Sequence, residues 1–133
     1  MNLTALPALA AKHGIRLILQ FGSSVTGATH SRSDLDIAVL LDRSDLSLAE
    51  YGDLSHALQE ALPGKALDLA VLNRADPLFL HQIVSRCRPL YDPEGRLPAL
   101  KLYAFKRYQD HERFFELERQ YVARFVARVR AAG

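Results

Sequence analysis

Residues 20–40 read Gln20-Phe21-Gly22-Ser23-Ser24-Val25-Thr26-Gly27-Ala28-Thr29-His30-Ser31-Arg32-Ser33-Asp34-Leu35-Asp36-Ile37-Ala38-Val39-Leu40, and this stretch decides the fold. It opens as the end of an apolar strand, breaks at Gly22-Ser23 and turns through Gly27. It then enters a second apolar strand that carries two acids two positions apart. Side chains alternate across a strand, so Asp34 and Asp36 point the same way at the mouth of a hydrophobic strand. Neighbouring carboxylates repel each other and are costly beside a core. The pattern asks for positive charge between them, which a pair of divalent metal ions would supply.

Upstream, residues 15–21 alternate and predict a strand with Ile15, Leu17, Leu19 and Phe21 on one face. Before it, Leu3, Leu6, Leu9 and Ala10 recur at helical spacing over residues 3–12. Pro7 suits a first helical turn, which moves the start to residue 5 or 6. Gly14 is a natural C-terminal cap, leaving His13 as an exposed cap residue.

Downstream, residues 35–41 predict the second strand, and Asp42-Arg43-Ser44-Asp45 a turn. Ser47-Leu48-Ala49-Glu50 is a capping-box pattern, so a helix is expected over 48–61, with Leu48, Tyr51, Leu54 and Leu58 as its apolar stripe and Pro63-Gly64 as its stop. Residues 66–72 predict a third strand that repeats the second: Asp68-Leu-Ala-Val-Leu72 echoes Asp36-Ile-Ala-Val-Leu40. If the two strands are neighbours, Asp68 reaches the site of Asp34 and Asp36.

Asp76-Pro77 caps a helix running to about Cys87 and carrying Leu80, Ile83 and Val84. Pro89-Leu90-Tyr91 adds a short edge strand, and Asp92-Pro93-Glu94-Gly95 a turn. From Pro98 to Arg130 the pattern predicts one long helix, or two with a bend near Gln109-Asp110. Phe114, Leu117, Tyr121, Phe125 and Val129 form a stripe on it, with Phe115, Val122 and Val126 alongside. Such a stripe belongs more often to a core than to an interface. A helix of this length also outruns the core beneath it, and any remainder would be a docking face for a partner or a second copy.

The chain has 133 residues, 49% of them apolar, which suits a single domain over 1–133 with a core of about 3–91 and a helical tail of about 96–130. No apolar run is long enough to span a membrane and the start does not read as a signal peptide, so a cytoplasmic location is expected. A single cysteine, Cys87, excludes an internal disulfide, fits a reducing compartment and reads as a small buried hydrophobe. The net charge of +2 is unevenly spread: residues 96–133 hold nine of the seventeen Lys/Arg and four of the fifteen acids. The tail is therefore basic, which invites an acidic partner or describes a solvated helix face. Nucleic acid is the weakest candidate, because no recognisable platform of aromatic and basic residues is present.

The chemistry follows from the residue types. Gly22 lets the backbone turn sharply and approach a ligand. Ser23 offers a hydroxyl, and the helix start behind it offers N–H groups, which together suit phosphate oxygens. Asp34 and Asp36 present the oxygen ligands that Mg²⁺ requires, and Asp68 is a third. Two metals held this way stabilise entering and leaving oxygens in an in-line displacement, so the implied reaction is nucleotidyl transfer from a nucleoside triphosphate, with pyrophosphate leaving. His30 reads as an exposed loop histidine, and His56 and His111 lack companions at metal-ligand spacing. Arg74 and His81 do not share a helix face, and Arg86 and Arg88 read as surface charge.

Gly22-Ser23-x₃-Gly27-x₅-Ser33-Asp34-x-Asp36 resembles the signature of the polymerase-beta-type nucleotidyltransferase superfamily. In detail it is similar to the minimal nucleotidyltransferases (MNT), small partners of HEPN-domain proteins in toxin–antitoxin pairs, and the likeness extends over about residues 3–91. The resemblance implies an α/β (α+β) fold, a small mixed sheet flanked by helices, ending here in a helical tail. It implies that Gly22, Ser23 and Ser33 bind the triphosphate of ATP, and that Asp34, Asp36 and Asp68 are catalytic and hold two Mg²⁺ ions. It further implies an antitoxin that transfers AMP to a tyrosine of its cognate HEPN toxin. Two alternatives are a catalytically weak antitoxin acting by occlusion and a small-molecule nucleotidyltransferase, the latter disfavoured by the short chain. A homo-oligomer through the C-terminal helix is also conceivable. One departure stands out: the family often carries a basic residue before the second glycine, and here that residue is Thr26, so phosphate charge must be met elsewhere, by Arg32 or Lys65.

Overall fold

The acid-bearing strands lie side by side. In a computed structural model describing residues 1–26 and 34–132, the chain runs α1 (Leu6–His13), β1 (Ile15–Phe21), α2 (Ser23–Thr26), β2 (Leu35–Leu41), α3 (Leu48–Ala61), β3 (Leu67–Val71), a 3₁₀ turn (Leu72–Arg74), α4 (Pro77–Ser85), β4 (Cys87–Tyr91) and α5 (Leu97–Ala132). The strands form one mixed sheet in the order β3-β2-β1-β4. β1 runs antiparallel to β2 and β4, while β2 and β3 are parallel, with α3 as their crossover. The fold is the expected α/β arrangement, a small mixed sheet flanked by helices and ending in a long C-terminal helix.

The sheet is covered on both faces, which is why β1 and β2 read as nearly continuous apolar runs. On one face Ile18, Ile37, Val39 and Leu69 pack against Leu6 and Ala10 of α1 and Leu54 and Leu58 of α3. On the other, Leu17, Leu19 and Ala38 pack against Leu80 and Ile83 of α4 and Leu97 and Ala104 of α5. Each fully buried leucine or isoleucine contributes about 1.5–3 kcal/mol relative to exposure. His81 of α4 stacks on Tyr108 of α5, ring centroids 3.9 Å apart, and fixes the proximal half of the long helix.

The local signals act as their chemistry dictates. Gly14 caps α1 in the left-handed region at φ 67°. The Ser47 hydroxyl accepts from the Glu50 N–H at 3.1 Å, and Asp76 accepts from the Phe79 N–H at 2.8 Å. The Glu50 carboxylate turns to Arg43 at 2.9 Å, which holds it below its ordinary titration range.

Four expectations are corrected. Ile15 does not share a face with Leu17, because the β1–β2 register shifts between Ile15 and Leu17; this bulge turns Ile15 into the α1/α3 core. Leu48 is 86% exposed, and α3 buries Leu54 and Leu58 from its later turns instead. His13 is half-buried rather than exposed, and its carbonyl accepts from Arg43 Nη1 at 3.1 Å. The tail is one unbroken helix, and its stripe is not core: Phe114, Leu117, Tyr121, Phe125 and Val129 are all more than half exposed. Cys87 ends half-buried at the start of β4, and burial pushes its thiol up from the ordinary value despite the opposing charge of Lys101.

Candidate active site

Where β1 ends and β2 begins, the chain brings its acids together. β2 and β3 pair in register, so Asp36 stands opposite Asp68 and Ala38 opposite Ala70. The pairing is fixed just before the acids, where the Leu35 N–H donates to the Ala66 carbonyl at 2.8 Å. Asp36 is half-buried; Asp34 and Asp68 are exposed. Burial, then the charge of Asp68, then that of Asp34 raise the Asp36 pKa above its ordinary value of 3.8. Asp36 thus feels both neighbouring carboxylates at the strand mouth.

Gly22 stands directly against this group. Its φ is 76°, a conformation side chains rarely adopt, and a Cβ there would lie 2.7 Å from Asp36 Oδ2. The position therefore requires glycine twice over, once for the turn and once for the carboxylate. Its N–H donates to the Arg86 carbonyl at 3.1 Å, so Gly22 contributes close approach of the backbone rather than a donor to a ligand. Ser23 follows as the exposed first residue of α2. Ser33, Gly27, His30 and Arg32 lie outside the described residues.

The donor set at the strand mouth is all oxygen, which fits a hard divalent cation such as Mg²⁺ and not a soft one. Like charges hold each other apart, and among the described residues no three His, Cys, Asp or Glu side chains gather closely enough to grip an ion.

Among the described residues, the basic side chains near the sheet lie away from the acids. Arg88 Nη2 donates to Oε1 of the buried Gln20 at 2.5 Å, on the sheet face opposite Asp36. Lys65 lines a cleft with Gln20 and Leu35, residues that also belong to that opposite face. Arg74 donates to the Leu46 carbonyl at 2.6 Å, while His81 stacks on Tyr108.

Two supporting residues escaped the sequence reading. Gln59 of α3 brackets the entry to β3: its Oε1 accepts from the Leu67 N–H at 2.7 Å and its Nε2 donates to the Lys65 carbonyl at 2.9 Å. This pins the residue next to Asp68. Asn73 clasps the far end of β2 through both backbone groups of Leu41, each at 2.9 Å. Neither sits in a motif. A polar residue in the last turn of an amphipathic helix, or just after a strand, is too common a signal to single out.

The comparisons with known proteins agree with the geometry. The family model for polymerase beta nucleotidyltransferases matches residues 5–95. No curated protein matches the chain. A chain from a toxin–antitoxin crystal structure with AMP-PNP is 26% identical, with a TM-score of 0.71, over 96% of this chain and 99% of its own. A chain from the MntA–HepT toxin–antitoxin structure is 24% identical over 94% and 96%, with a TM-score of 0.64. A chain from the tri-AMPylated Shewanella oneidensis HEPN toxin in complex with MNT antitoxin is likewise 24% identical, over 94% and 95%, at TM-score 0.64. At 24% these last two speak to the fold alone.

Proposed function

The chain belongs to the polymerase-beta nucleotidyltransferase family, and from that premise we propose that it is an antitoxin that transfers AMP from ATP to a hydroxyl, a tyrosine's, of a cognate HEPN toxin and so neutralises it. The observation that carries the reading is the in-register pairing of Asp36 with Asp68 beside Asp34, with Gly22 pressed against the Asp36 carboxylate. The toxin–antitoxin complex with AMP-PNP, similar over nearly its whole length, supports both the nucleotide and the class of partner.

Asp34, Asp36 and Asp68 would hold Mg²⁺, which when bound neutralises the charge on the phosphate oxygens. Asp34 and Asp36 lie at the mouth of the central strand β2 and Asp68 on its in-register neighbour β3, so the sheet pairing places them before substrate arrives. Gly22 leaves room for the triphosphate to approach that mouth, and Ser23, the exposed first residue of α2, would offer its hydroxyl there. In the transfer, the acceptor oxygen forms a bond to the α-phosphorus and the bond from that phosphorus to the bridging oxygen breaks. Pyrophosphate departs with the electron pair, and the hydroxyl proton passes to solvent.

Incubation of the purified chain with ATP, Mg²⁺ and its cognate toxin, followed by intact-mass spectrometry, is expected to show the toxin heavier by whole AMP units. A toxin of unchanged mass in a formed complex would sink the proposal. Neutralisation by binding alone is the second reading, favoured by Thr26 in place of a basic residue. The pair Asp34→Asn with Asp36→Asn separates the two: full neutralisation by a folded double variant points to binding, loss of neutralisation to chemistry.

A further inference from the structure

The passage that delivers Asp68 to the acids is held by one side chain. Between α3 and β3 the chain runs through Leu62-Pro63-Gly64-Lys65-Ala66. Gln59, half-buried in the last turn of α3, reaches across this passage with its whole amide. Its Oε1 accepts from the Leu67 N–H at 2.7 Å, and its Nε2 donates to the Lys65 carbonyl at 2.9 Å and to the Leu62 carbonyl at 3.4 Å. Lys65 and Leu67 flank Ala66, whose own carbonyl accepts from the Leu35 N–H at 2.8 Å. Leu35 lies between Asp34 and Asp36, and Leu67 precedes Asp68. The amide of Gln59 is thus tied, through a short run of hydrogen bonds, to the backbone beside all three acids.

Such a clamp has a force to oppose. β2 and β3 pair like with like: Leu35 with Leu67, Asp36 with Asp68, Ala38 with Ala70 and Val39 with Val71. At the apolar positions this register buries side chains together. At Asp36 and Asp68 it sets two carboxylates in one row, where like charges repel. A slip of one residue would turn Asp68 to the other face, and a slip of two would carry it about 6.6 Å along the strand. An amide also grips the far end of the pair, where Asn73 exchanges both bonds with the backbone of Leu41 at 2.9 Å. The two clamps are alike in chemistry and differ in what stands beside them: Gln59 holds the end that bears the acids. Resting on the reading of Asp34, Asp36 and Asp68 as the metal-holding set, we propose that Gln59 is a positioning residue for the transfer, holding Asp68 level with Asp36 against their mutual repulsion so that the carboxylates are ready for a divalent cation.

Two measurements on the full chain test this: amide hydrogen exchange without metal, and thermal melting across a Mg²⁺ series. Gln59→Met keeps the length of the side chain and removes the amide. Exchange at Leu35 and Leu67 is expected to quicken about tenfold relative to Leu41 at the far end; Asn73→Leu should do the reverse. The Mg²⁺ concentration giving half of the full melting shift should rise about tenfold in Gln59→Met and stay in place in Asn73→Leu. Gln59→Glu, which still accepts from the Leu67 N–H, should fall between wild type and Gln59→Met. In an Asp68→Asn background Gln59→Met should move the Mg²⁺ midpoint no further, because it acts through that carboxylate. Unchanged exchange at Leu35 and Leu67 overturns the inference whatever the metal does. So does a Mg²⁺ midpoint that moves as far for Asn73→Leu, or that moves again in the Asp68→Asn background. A wild-type chain with protected Leu35 and Leu67 amides whose melting ignores Mg²⁺ sinks the reading of the acids themselves, and this inference with it.

Discussion

Strands β2 and β3 spell almost the same word, Asp36-Ile-Ala-Val-Leu40 and Asp68-Leu-Ala-Val-Leu72, and lie side by side in parallel register, yet their surroundings differ. β2 is central: Ile37, Ala38 and Val39 are wholly buried and Asp36 is drawn half under the surface. β3 pairs only with β2 among the described residues; Leu69 is buried, while Ala70 and Val71 are half-covered and Asp68 is exposed. The repeated word therefore does two jobs. In β2 it is a core strand that forces an acid into a crowded place; in β3 it is a rim that offers an acid to solvent. Position in the sheet, and not residue type, sets how far each carboxylate is drawn from solvent.

The largest difference is expected at the acids themselves. Gly22→Ala drives a methyl group to 2.7 Å from Oδ2 of the Asp36 carboxylate. AMP transfer to the toxin should fall about 100-fold, the cost of a displacement near 1 Å in a preorganised site, while the strained backbone costs about 1–3 kcal/mol of stability. An assay of transfer alongside a urea melt checks both, and an unimpaired Gly22→Ala enzyme would mean that the close approach is irrelevant to the chemistry.

Next come the paired valines. Val39→Ala removes two methyls from a fully buried site and should cost about 2.5 kcal/mol; Val71→Ala, at the half-covered rim, about 1 kcal/mol. Equal midpoint shifts in urea would erase the distinction between centre and edge.

The smallest effect is the most diagnostic in sign. The raised Asp36 carboxyl keeps its proton to higher pH in the folded chain than in the unfolded one, so the folded state binds more protons. The associated stability is full below the ordinary value of 3.8 and is lost as pH rises through the raised folded value. At neutral pH Asp36 is thus a burden, and Asp36→Asn should raise the melting temperature by about a degree or two. Mg²⁺ should stabilise the native chain and fail to stabilise the variant. A lowered melting point for Asp36→Asn at pH 7 would contradict the origin given for the shift.

Much of this was legible in advance because it rests on short-range chemistry. Gly14, Ser47 and Asp76 announce helix ends through their own hydrogen bonds, and the repeated pentamer announced that Asp68 would stand beside Asp36. What periodicity cannot report is which face finds a cover. The stripe on α5 has the spacing of a core helix, but nothing in its residues says that the sheet ends before they begin. The bulge at Arg16 likewise leaves no mark on alternation, and so Ile15 changes sides unannounced. The candidate site was half legible: its acids and Gly22 carry their reasons in sequence, whereas Gln59, which fastens the strand bearing Asp68, does so through a contact made only once α3 has packed.

The outer rim of β3 has a bearing on the behaviour of the chain in crowded solution. An uncovered strand edge offers its backbone N–H and C=O groups to any passing strand, and sheets that leave such edges bare tend to stack into aggregates. Among the described residues no strand pairs with the outer edge of β3, a strand of five residues on which the carboxylate of Asp68 is exposed. A charge that must be stripped of water before another strand can dock is a guard, and a short edge gives an intruder little to hold. The acid proposed for metal binding also serves, by where it stands, to keep one molecule's sheet from being extended by another's.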